Sequence, residues 1–63
     1  MEERLKFVNY SVKEQHNVVL ILNDQRVVRG KALSLFDNLL TLEDDQQVSL
    51  NEIVEIFVIP KNH

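Results

Sequence analysis

Six short apolar bursts crowd residues 18–59, at 18–22, 27–28, 32–36, 39–42, 48–50 and 53–59, each bounded by polar pairs. Valine and isoleucine dominate several of them, which favours strands over helices. Bursts this short and this closely spaced are the pattern of a small all-β barrel or sandwich. One glycine, Gly30, stands in the whole chain, and it lies inside the longest strand-like segment rather than in a turn. Glycine weakens a strand, so it is kept where the strand bends sharply or where another backbone or a ligand comes close. A long strand that serves both halves of a tiny barrel needs such a bend, and Gly30 is the place for it.

The first strand spans residues 17–23, and its five consecutive apolar residues predict burial on both faces. Asn23, Asp24 and Gln25 supply turn chemistry. The second strand spans 26–36. Its alternation slips between Ala32 and Phe36, as a bulge or strong bend would make it. Asp37 and Asn38 turn the chain into a third strand at 39–42. A polar loop with three acids, Glu43, Asp44 and Asp45, leads to a fourth strand at 47–50. Asn51 and Glu52 form a kink, and a fifth strand at 53–59 ends at Pro60, which cannot donate to a ladder. Residues 1–16 fit two patterns. Leu5, Val8 and Val12 recur at helical spacing, whereas Val8, Tyr10 and Val12 would share one strand face. We read this segment as a short helix, with an extended conformation as the alternative.

The chain of 63 residues makes one domain, an N-terminal segment at 1–16 and a barrel at 17–59. A chain of this size buries only about 60% of the surface its unfolded form exposes. It has no cysteine, so neither a disulfide nor a thiolate zinc site can brace it. Association with another copy is the remaining remedy, and an apolar content of 44% points the same way. The last strand sharpens this expectation. Strict alternation puts Val54, Ile56 and Val58 on one face and Ile53, Phe57 and Ile59 on the other, and one small core cannot cover both. The expected interface comprises Val48, Leu50, Val54, Ile56 and Val58. The opening MEERLKFVNY lacks the apolar core of a secretory leader, and no apolar run reaches membrane-spanning length. A soluble, cytoplasmic protein is expected, and the lack of cysteine fits a reducing compartment.

The blocks VVLILND at 18–24, RVVRGKALSLFDN at 26–38, LLTLED at 39–44 and VSLNEIVEIFVIP at 48–60 together resemble the Sm-like (Hfq/Lsm-like) small β-barrel family. The YolD-like proteins of Gram-positive bacteria look similar in the acidic loop and in the approach to the last strand. The resemblance implies a five-stranded, strongly bent SH3-like barrel in a bacterial protein. It also implies a homo-oligomer in which the last strand of one subunit pairs with the fourth strand of the next, and RNA as a partner. Its RNA-contacting residues do not carry over. Leu39 stands where Hfq has a stacking aromatic, Asn51 and Glu52 stand where it has Lys-His, and Asp37 follows Gly30 by seven positions instead of six.

Charge is uneven. Residues 1–31 hold six basic and four acidic side chains, residues 32–63 one basic and six acidic, for a net −3. Arg26, Arg29 and Lys31 are the candidate phosphate contacts, with Tyr10 and Phe36 as candidate stacking platforms. Ordinary solvated charge is the alternative. Phe7 and Phe57 have apolar neighbours and are expected in the core. The carboxylates at 43–45 lack the glycine and the alternating spacing of a calcium loop. His16 and His63 build no catalytic dyad or metal site, and no serine has a nucleophile context. No enzyme activity, cofactor or metal is expected. Two functions remain open: an Sm-like RNA-binding ring, or a structural or protein-interaction oligomer without RNA binding.

Overall fold

The computed structural model describes residues 2–60. It is mainly β: one N-terminal helix followed by five strands in a single antiparallel sheet. The helix α1 spans Glu2–Glu14, and the strands are β1 (Asn17–Leu22), β2 (Val27–Phe36), β3 (Leu39–Leu42), β4 (Gln47–Ser49) and β5 (Ile53–Ile59). Short 3-10 turns at Glu43–Asp45 and Leu50–Glu52 flank β4. The strand order is β4-β3-β2-β1-β5, so β4 and β5 are the two edges of the sheet. Among the described residues they are not paired with each other.

The N-terminal segment is helical because its buried stripe has helical spacing. Val8 and Ser11 face inward with Val12 beside them, and α1 packs across β2 and β5. A buried hydroxyl needs a partner, and Ser11 Oγ donates to the Phe7 carbonyl one turn back at 2.7 Å. Gln15, at φ 54°, ends the helix in the left-handed conformation. The His16 N–H then donates to the Ser11 carbonyl and the Gln15 N–H to the Val12 carbonyl, which is a Schellman closure.

Every second residue of β1 is buried: Val18, Leu20 and Leu22. They meet Ala32, Leu40, Leu42, Val48, Leu50, Ile53 and Val8 in one core. Burial of β1 on both faces is thereby corrected. Val19 and Ile21 stay partly exposed, because no further layer covers that outer face. Phe7 and Phe57 are also corrected. They are 51% and 48% exposed, since Phe7 lies off the buried stripe of α1 and Phe57 pairs with Val19 on the outer face.

Gly30 sits where β2 changes partners. Residues up to Lys31 pair with β1, and residues from Ala32 onward pair with β3. The slipped alternation is a register shift between Ala32 and Ser34. Asp37 and Asn38, at φ 54° and 65°, form a two-residue hairpin turn of the kind that matches strand twist. The two-faced arrangement of β5 is corrected by a second register shift. Leu22 pairs with Ile53 whereas Ile21 pairs with Glu55, so Val54 is the extra residue. The bulge turns Ile53 inward, onto the same face as Ile56 and Val58. Arg4 secures it from α1: Nη1 donates to the Ile53 carbonyl at 2.8 Å and to the Val54 carbonyl at 3.3 Å.

Candidate interface: sheet edges and the outer face

The candidate phosphate contacts do not gather into one patch. Arg26 belongs to the β1–β2 turn, where Nε pairs with Asp24 at 2.6 Å and Nη2 with Glu52 at 3.3 Å. Asp24 Oδ1 also accepts the Arg26 backbone N–H at 3.1 Å. That backbone hydrogen bond, with the guanidinium behind it, holds the Asp24 carboxyl below its ordinary value. Arg26 therefore works as a clamp between the turn and Glu52. Arg29 and Lys31 lie two residues apart on β2, on one face, opposite Val19 and Asn17 of β1. Neither side chain has an acidic partner within ion-pair distance among the described residues.

Tyr10 is on the exposed side of α1, its ring centroid 5.0 Å from that of His16 and tilted by 48°. His16 is buried, and both ring nitrogens lack a hydrogen-bond partner among the described residues. Phe36 is 82% exposed beside Leu39 at the tip of the β2–β3 hairpin. The outer face of β1, β2 and β5 carries Val19, Val27, Phe57 and Ile59 around Arg29 and Lys31. A concavity of about 270 Å³ opens there, lined by Asn17, Val18, Val19, Arg29, Gly30 and Ile59.

The expected interface residues divide by what their side chains already do. Val48 and Leu50 are buried in the chain's own core, so β4 offers another chain its backbone edge. Ile56 and Val58 are packed against that core, and Val54 is exposed on the bulge. Among the described residues no group of three His, Cys, Asp or Glu side chains is placed to hold a metal ion. None of the described helices is long and apolar enough to cross a membrane.

Several contributors lie outside the sequence-level candidates. Arg4 braces the β5 bulge, and its position four residues before Val8 was the available signal. Gln46 carries no such signal. Its Nε2 donates to the Arg29 carbonyl at 3.1 Å and to the Glu43 carbonyl at 3.2 Å, tying the acidic turn to the bend of β2. Compared with known proteins, the chain matches no family model and no curated protein.

Proposed function

We propose that this domain is a non-catalytic, Sm-like self-assembling module, in which the β5 edge of one copy pairs with the β4 edge of the next. One observation carries it: the single sheet ends in two edge strands, β4 paired only with β3 and β5 only with β1 among the described residues. An edge strand presents free N–H and C=O groups and templates pairing with another chain unless it is blunted. β5 carries exposed Val54, Phe57 and Ile59, with Glu55 its one charged residue. A β5-to-β4 contact is heterologous, so it closes into a ring where the rotation permits.

Light scattering tests it. Val54 is exposed, so Val54→Lys leaves the fold intact and places a charge on the edge. The wild type is expected as a multi-subunit assembly, and Val54→Lys is expected to lose that assembly with an unchanged circular dichroism spectrum. A wild type that stays monomeric at high micromolar concentration overturns the proposal.

A second reading, RNA binding, is favoured by Arg29 and Lys31 standing on one face with neither side chain ion-paired among the described residues, although Glu43 Oε1 accepts the Lys31 backbone N–H at 3.2 Å. Titration with oligo-A and oligo-U at low salt tests it. Removing either cation should lower affinity and reduce the salt slope by about one. No binding at low salt discards this reading.

A further inference from the structure

We propose that the β2–β3 hairpin tip of one copy docks, through Phe36, into the outer-face concavity of a second copy, with Asp37 pairing to Arg29. Among the described residues Phe36 is the most exposed of the large apolar side chains, at 82%, and Leu39 pairs with it across the hairpin. The turn holding it is tied to the body of the domain. Asp37 and Asn38 occupy the left-handed region, and the Asn38 carbonyl accepts the Leu50 N–H at 2.9 Å. An aromatic side chain has few rotatable bonds, so it gives up little conformational freedom on docking, and it has the character of an interface anchor.

The receiving surface fits in size and charge. Asn17, Val19, Arg29, Gly30 and Ile59 line the concavity of about 270 Å³, over Val18, which is itself buried. The concavity is open to solvent, and its volume leaves room for one phenyl ring. Asp37 is exposed and has no hydrogen-bond or ion-pair partner among the described residues, and neither does the Arg29 guanidinium. With Phe36 seated, its neighbour Asp37 reaches that cation. Tip and concavity are different parts of one molecule, so the contact is head-to-tail. It joins outer-face side chains rather than backbone edges, and so goes beyond the edge pairing proposed above.

Sedimentation velocity in the Val54→Lys background separates the two contacts. Blocked at the edge, this variant is expected to keep a weaker, concentration-dependent association. Adding Phe36→Ala or Arg29→Glu should weaken that association roughly thirtyfold, as loss of an anchor does. Both sites are exposed, so circular dichroism should show the fold retained. Mixing the two variants should restore a heterodimer, because one keeps the concavity and the other keeps the tip. A Val54→Lys protein that remains monomeric at its highest concentration, or a mixture that stays monomeric, overturns this contact. An oligomeric wild type would leave the edge pairing standing in either case.

Discussion

Placing a side chain at Gly30 should destabilise the domain by about 1–3 kcal/mol, and the structure supplies the terms. Gly30 sits at φ +158°, a backbone conformation that side-chain-bearing residues rarely adopt. A Cβ there would stand 3.3 Å from Gln46 Nε2 and 3.6 Å from Leu42 Cβ. Gln46 must then move, although its amide holds the Arg29 and Glu43 carbonyls. Each such hydrogen bond contributes about 0.5–1.5 kcal/mol. The stiffer unfolded chain offsets about 0.4–1 kcal/mol. Thermal and urea unfolding of Gly30→Ala and Gly30→Val measure the outcome, with Val the worse. In a domain this small each kcal/mol lowers Tm by roughly 4–8 °C. A double-mutant cycle isolates the crowding: in a Gln46→Ala background, Gly30→Ala should cost about 1 kcal/mol less. An unchanged Tm for Gly30→Val would refute the assignment of Gly30 to the bend of β2.

His16→Leu should stabilise the domain, because it removes two buried nitrogens without partners, at about 1–3 kcal/mol for such a group; calorimetry should show a higher Tm. Arg4→Met should cost about 1–2 kcal/mol by releasing the carbonyls at the β5 bulge, and hydrogen exchange should rise first in α1. Asp24 has a folded-state carboxyl held below its ordinary 3.8, so the unfolded state binds the proton more readily and stability rises with pH through that range. The contribution is present above 3.8 and fades as pH falls through the lower folded value; Asp24→Asn should flatten this small slope in a Tm-against-pH series. Phe36→Ala should leave the monomer's Tm nearly unchanged, since the ring is mostly in solvent.

The strands were legible because their signals are local. Asp37-Asn38 marks its own turn, Pro60 marks an end, and the pattern slip after Ala32 marks the register shift at Leu33. The N-terminal segment stayed open because Val8 and Val12 fit both periods. What selects the helix is tertiary: a stripe that buries Val8 and even Ser11, a polar residue whose burial depends on a bond to its own backbone. Alternation misplaced Ile53 because a bulge at Val54 changes the parity of β5, and nothing in the local composition announces it. Phe7 and Phe57 looked like core by residue type, yet a domain this small has more large apolar side chains than its core can hold. Arg26 groups with Arg29 and Lys31 in sequence alone. Its partner Glu52 lies 26 residues away and becomes visible only when the turn meets the segment before β5.

Backbone hydrogen exchange measured across a concentration series tests the edge pairing most directly. If β5 of one copy pairs with β4 of the next, amides in Gln47–Ser49 and Ile53–Ile59 gain protection as concentration rises, while those of β1, paired on both sides within the chain, do not change. Protection at β4 and β5 that is independent of concentration, in a protein that sediments as a monomer throughout, would contradict it.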